Sequence, residues 1–345
     1  MNVIVRRAYP LLSELVADND VAERLDSVIA ACSGDTDPMR RLFNETHIDY
    51  DTLRGSGDLL VYHLCCNTVA SGGCVVARNV EDDLSQLLRL LPMEQLRGAY
   101  RTKLLSNAQF MDVVYEIAVA AIASRHLDSG TLFLESRLPD SAKNPDVTGV
   151  RNGRRFRIET TVLHESIPSD RVQTRSMMDI HEWEDLPANP PDTVTMEEIM
   201  RKDPTHKGTP VSKKLRDILR TKTRQCEEGA VNIVVVGIDL PMFDRDLEDS
   251  LCGAPYVIVQ TDANRTARSQ DLARTSSGPF APPSQSKDVA QFIDPFRIVS
   301  GVWRLRLSAS NPASTLRLNP NASTALSNTD VPVLERLGMD RAQRG

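Results

Sequence analysis

Two acids, Asp146 and Glu159, stand on either side of the dipeptide Asn152-Gly153. Asn-Gly between alternating segments is the strongest short signal for a β-hairpin, because both turn residues tolerate positive φ. A two-residue loop pairs Arg151 with Arg154. Counting back along both strands, Val150 meets Arg155, Thr148 meets Arg157 and Asp146 meets Glu159. The two carboxylates then face each other with their Cβ atoms roughly 5 Å apart. Like charges so placed repel, and the pair calls for a shared proton, a neighbouring cation or a metal. Mg2+ suits it, since this ion takes one or two carboxylates and keeps several waters; Mn2+ is the alternative. The second strand alternates in agreement. Phe156, Ile158, Thr160 and Val162 point one way, toward a core. Arg155, Arg157, Glu159 and Thr161 point the other way, as a charged face that a phosphate and a metal together would satisfy.

These residues need elements to hold them. Ser106 with Gln109 fits a capping box opening a helix from Asn107 to about Arg125. Thr131–Ser136 reads as a short strand, and the hairpin follows. The polar stretch from Glu165 to Pro210 carries breaks at Ile167-Pro168, Leu186-Pro187 and Asn189-Pro190-Pro191 and, between Glu165 and Glu198, nine acids against two arginines. It reads as a long insertion, a lid or a disordered loop. Val211–Glu228 is a basic helix, and Val231–Ile238 and Tyr256–Gln260 are strands. Thr261–Ser286, rich in Ser, Pro, Ala and Arg, reads as a second loop insertion, extending to about residue 290. Val302–Leu307 and Thr315–Leu318 are late strands. Beyond about Asn321 the chain reads as a tail with one short helix, Pro332–Leu337. The expected class is α/β, a mixed sheet flanked by helices over residues 106–320, with a C-terminal tail over 321–345. Ahead of it, residues 1–105 read as an all-helical region: Leu11–Ala31, Leu59–Val69 and Leu84–Leu104 have helical apolar spacing, separated by breakers at Gly34–Pro38 and Ser71–Gly73.

The sequence Asn144-Pro145-Asp146, a hairpin, and Arg157-Ile158-Glu159-Thr160-Thr161 resembles the PD-(D/E)xK nuclease superfamily, the restriction-endonuclease-like proteins. Its core is a helix, a strand, the motif hairpin, a second helix and a further strand, the order read here from about Ser106 to Ile238. The resemblance implies that Asp146 and Glu159 hold the divalent metal, with the Thr160 carbonyl as a third ligand. It implies a helix acid ahead of the motif that orients the attacking water, and Glu116 stands in that place. It also implies polar residues from the second helix facing the site, where Lys222 and Gln225 stand. The chain departs from the pattern at Thr161, which occupies the place of the family's lysine. Threonine carries no charge to set against the phosphate. Arg157, Lys222 or Lys143 would have to supply it. The resemblance covers less than half of the chain.

Composition sets limits on these readings. An apolar fraction of 41% and a charged fraction of 26% are those of an ordinary soluble protein. The apolar run Val231–Ile238, broken only by Asn232 and Gly237, is far short of a membrane span. Met-Asn-Val-Ile-Val-Arg-Arg at the start predicts no secretory leader. The six cysteines, Cys32, Cys65, Cys66, Cys74, Cys226 and Cys252, form no C-x-x-C pair. Reduced thiols in the cytoplasm are therefore expected. His164-Glu165 and His181-Glu182-Trp183-Glu184 lack H-E-x-x-H spacing, and Glu135 reads as an exposed strand acid. A net charge of −6 means that any grip on nucleic acid comes from a local patch. The expected activity is Mg2+-dependent hydrolysis of phosphodiesters, with DNA favoured over RNA. The alternative is a catalytically inactive nuclease-like protein that binds nucleic acid or protein, or acts as a scaffold. The helical region offers a surface for a protein partner or a second copy, and a third reading is an assembly protein with no site.

Overall fold

The computed structural model describes residues 3–17, 20–24, 59–60, 63–64, 75–135, 145–163, 211–238, 247, 251–252, 255–256, 259–261, 267–269, 273–274, 279–280, 294–307 and 312–343. Lys143, His164, His181 and the acidic insertion lie outside the described residues, as do most of the second insertion and most of the helix expected over 59–69.

The helices α1 (Val3–Ala8), α2 (Pro10–Leu15), α3 (Val75–Leu87), α4 (Met93–Leu104) and α5 (Phe110–His126) come first. Three strands follow: β1 (Phe133–Leu134), β2 (Val147–Arg151) and β3 (Arg154–Leu163). Next are α6 (Val211–Lys222) with a 3-10 turn over Thr223–Gln225, then β4 (Val231–Ile238). The short strands β5 (Pro255–Tyr256), β6 (Val259–Thr261), β7 (Ala267–Ser269) and β8 (Ala273–Arg274) form two separate two-stranded sheets. The chain closes with β9 (Gly301–Arg306), β10 (Ala313–Leu318) and α7 (Asp330–Ala342). The main sheet is six-stranded and mixed, in the order β1-β2-β3-β4-β9-β10. β3, β4 and β9 run parallel to their neighbours at its centre, and antiparallel pairs flank them. The molecule is thus mixed α/β, with helices against the sheet. Among the described residues no helix is long and apolar enough to cross a membrane.

The expected hairpin forms with the counted register, Arg151 opposite Arg154 and Thr148 opposite Arg157. Asn152 at φ 51° and Gly153 at φ 73° have the left-handed backbone that a twist-matched two-residue turn demands. β4 lies between two parallel neighbours and is apolar on both faces, as such strands are. The one polar residue in it, Asn232, closes the turn that feeds the strand. Its Nδ2 donates to the carbonyls of Glu227, Ala230 and Ile298 at 2.8, 3.1 and 2.9 Å, and its Oδ1 accepts from Glu227 N–H.

One face of the sheet packs Phe156, Ile158, Val231, Ile233, Val235, Trp303 and Leu305 against α5 and α7. The other packs Leu163, Val234, Val236 and Val302 against Leu215 and Leu219 of α6. α5 is buried nearly all round, because α3, α4 and α7 cover what the sheet does not. The first core continues without a break into Leu12, Leu15, Leu84 and Leu87 of the early helices. Glu81 of α3 caps α2 by accepting from the free N–H groups of Leu11 and Leu12, both at 2.8 Å.

Several expected boundaries move, each for a physical reason. The Ser106 capping box does not form. Residues 107–109 make a turn, α5 opens at Phe110, and the Asn107 side chain instead accepts from Leu59 N–H at 3.2 Å. The apolar spacing over Leu84–Leu104 covers two helices, since Pro92 adopts an extended backbone and starts α4. β1 keeps only Phe133 and Leu134 of the strand expected over Thr131–Ser136, because Glu135 turns into the left-handed region at φ 44°. The basic helix over Val211–Glu228 ends at Lys222 and tightens into the 3-10 turn. The strand read over Tyr256–Gln260 is two strands in different sheets. The late helix is thirteen residues long, with Pro332 in its first turn, where a missing N–H costs nothing.

Candidate functional site

The hairpin carries Asp146 to the mouth of β2, one residue before the strand begins. Its Oδ2 accepts the Thr160 N–H at 2.6 Å, and its own carbonyl accepts from Glu135 N–H at 3.2 Å. The acid is therefore tied to β3 beside Glu159, where the residue count puts it. Glu159 is 2% exposed and lies on the face covered by α6. Its Oε2 accepts from Lys222 Nζ at 3.2 Å, while Oε1 has no partner among the described residues.

Glu116 comes from the other side of the sheet. It sits on α5, 8% exposed, and its Oε2 takes a hydrogen bond from Lys103 Nζ at 2.6 Å. The same ammonium lies 2.6 Å from Oε1 of Glu135, the residue whose backbone turns out of β1. Tyr100, one turn before Lys103 on α4, is buried, with its hydroxyl unpartnered among the described residues. Burial comes first in holding that phenol protonated, followed by the charges of Glu116, Asp146 and Glu135.

The electrostatics bind these groups into one site. Burial pushes Glu116 and Glu159 up to about 8, and in both the next cause is the charge of Asp146. Lys103 pulls Glu116 back down, and Lys222 and Arg157 do the same for Glu159. Asp146 is itself raised by burial, against the lowering effect of Lys222, the Thr160 N–H and Lys103. Three acids from α5, β2 and β3 thus feel one another, with a lysine on each side of the sheet.

The other sequence-derived candidates fall as follows. Lys222 reaches the acids. Arg157, 2% exposed, points along the same face, but its Nη1 is 3.3 Å from Glu227 Oε2, and Arg155 pairs with the same carboxylate. Nε and Nη2 of Arg157 have no partner among the described residues. Thr161 is half-buried in β3 opposite Val236, with no charge to contribute. Thr160 adjoins the acids through its N–H. Gln225 is buried in the 3-10 turn. Glu135 is no bystander, since it shares Lys103 with Glu116. Lys103 and Tyr100 were missed in the sequence. They lie on a helix whose apolar spacing shows only that it packs, and no local pattern marks which of its polar residues turn inward.

The donors are all oxygen, which fits a hard divalent cation and not a soft one. Glu159 Oε1, buried and unpartnered, is an atom such an ion would satisfy. Asp146 uses Oδ2 on Thr160, leaving Oδ1 for another partner. Among the described residues no three His, Cys, Asp or Glu side chains converge on a single ion position. Lys103 and Lys222 each hold one of the flanking acids. Two carboxylates with waters suffice for Mg2+. No family model, curated protein or solved structure matches this chain.

Proposed function

We propose that this chain is a Mg2+- or Mn2+-dependent nuclease built on a restriction-endonuclease-like core, hydrolysing phosphodiesters with DNA favoured over RNA. The observation that carries the reading is the Asp146–Thr160 hydrogen bond, which ties Asp146 beside a buried Glu159 whose second oxygen lacks a partner. Asp146 and Glu159 would hold the ion, with the Thr160 carbonyl as the third ligand. The ion would make a bound water a better nucleophile and offset charge on the phosphate. Glu116, whose pKa is pushed up to about 8, suits a group that orients the attacking water and accepts its proton near neutral pH. Lys222 would supply, from α6, the charge that Thr161 does not. The unpartnered Nε and Nη2 of Arg157 are directed donors for a phosphate oxygen.

Purified protein should cut DNA in Mg2+ or Mn2+, and Asp146→Asn should lose cutting by at least a hundredfold while keeping its melting temperature. Undiminished cutting by that variant would overturn the reading. Thr161 favours a second reading, a nuclease-like protein that binds nucleic acid or a protein without cutting. That protein would shift labelled DNA with a salt dependence reporting phosphate contacts, yet cut nothing with any metal.

A further inference from the structure

Lys103 stands apart from the other basic residues of the site. Its ammonium bridges two carboxylates from different elements, Glu116 of α5 and Glu135 after β1, at 2.6 Å from each. A cation held between two carboxylate oxygens is the arrangement a second metal ion would adopt in a two-metal centre. We propose that Lys103 takes the place of that second ion, so that the site binds a single divalent cation. The inference rests on the reading of Asp146 and Glu159 as metal ligands.

Charge supports it. Glu116, Glu135, Asp146 and Glu159 face Lys103 and Lys222. With the acids ionised, as a bound cation requires, and Arg157 set against Glu227, four carboxylates against two ammoniums leave two negative charges, which one divalent cation cancels. A second ion would leave an excess of two positive charges beside side chains as enclosed as Glu159 and Glu116, and uncompensated buried charge is costly. The geometry agrees. Lys222 is bound to the same acid that would take the ion, so the ion competes with it for Glu159. Lys103 is bound to the two acids outside the Asp146–Glu159 pair, so it stays in place when the ion enters. Lys103 is thus a positioning residue for Glu116 and a fixed part of the electrostatics of the site.

Isothermal titration of the full chain with Mn2+ tests this, joined to paramagnetic resonance of the loaded protein. The wild type should take one ion per chain. Lys103→Gln should take two, with the spin-coupled signal of manganese ions about 3.5–4 Å apart. Lys103→Arg, which keeps the cation, should return to one. Melting curves check that each variant is folded, and the wild-type stoichiometry stands whether or not Lys103→Gln folds. Two ions in the wild type would overturn the inference and leave the proposed function intact. So would a single ion in folded Lys103→Gln. No ion in the wild type at millimolar Mn2+ would overturn the metal site and this inference with it.

Discussion

Glu116 and Glu159 keep their protons to about pH 8, while His63 and His126 are depressed to about 4, all chiefly by burial. The two effects act oppositely on stability. A histidine neutral in the folded state but charged when unfolded adds stability as pH rises through its unfolded value, about 6.5. A carboxyl whose folded pKa is raised takes up a proton on folding, so its share of stability is full below about 4.5 and is lost as pH climbs toward 8. Between about 4.5 and 6.5 the pairs largely offset each other. Above 6.5 the histidines are neutral in both states and only the acids still titrate. The melting temperature should therefore stay nearly level between about pH 4.5 and 6.5 and fall toward pH 8.5, with a smaller fall in Glu159→Gln. A melting temperature that is flat or rising over that range in wild type contradicts the burial of these acids. Mn2+ should restore more stability at pH 8 than at pH 6, because the ion competes with protons for the same oxygens. Lys222→Met removes the one hydrogen-bond partner that the Glu159 carboxylate has among the described residues. Leaving that acid unpaired should cost on the order of 1–3 kcal/mol at pH 8 by denaturant unfolding. The cost should shrink at pH 6, where Glu159 carries its proton.

Elements decide which of these residues meet, and they also decide what could be read beforehand. The hairpin register from Arg151–Arg154 to Val147–Ile158, which leads Asp146 to the Thr160 N–H, was legible because a hairpin is local: Asn152 and Gly153 set the turn, and alternation fixes the rest. Lys222 was legible as a polar residue on the helix after the motif. The bridge from Lys103 to Glu135 was not, because it depends on how α4 crosses the end of β1 and on a backbone reversal at Glu135 that no residue type announces. The capping box read at Ser106 and Gln109 does not form, and the contact made beside it, from Leu59 N–H to the Asn107 side chain, is likewise long-range. The seat of α5 on the sheet depends on Gly237 of β4. A Cβ there would lie 2.7 Å from the ring of Tyr115, whose hydroxyl accepts from Leu307 N–H at 3.3 Å. Tyr115 adjoins Glu116, so this contact sets the depth at which the acid enters the site. Gly237→Ala should cost about 1–3 kcal/mol in unfolding experiments by overpacking. It should also weaken Mn2+ binding severalfold, whereas Gly153→Asn, at the exposed turn, should leave that affinity unchanged.

Across the whole molecule, the early helices and the sheet share one apolar core, and a buried ion pair joins its two ends. Arg341 of α7 lies 2.6 Å from Asp83 of α3 through both Nε and Nη2, and each side chain is 1% exposed. Asp83 in turn acts on the Tyr100 phenol, which feels Glu116, Asp146 and Glu135. The pair thus fixes α3 against α7, and both helices pack on α5, which carries Glu116. A buried pair is expensive to break by halves, because the remaining charge is left without compensation, at about 3–5 kcal/mol. Replacing both partners by apolar groups of similar volume is far less costly. Arg341→Met and Asp83→Leu should each destabilise by that amount, and the double variant by clearly less than their sum. The site should follow the same pattern. Each single variant should weaken Mn2+ binding, and the double variant should recover most of the affinity, since none of these side chains touches the ion. Additive losses in stability would mean that Asp83 and Arg341 stabilise the fold independently. Recovery of stability without recovery of Mn2+ affinity would show that α3 and α7 hold the core together but do not set the position of Glu116 on α5.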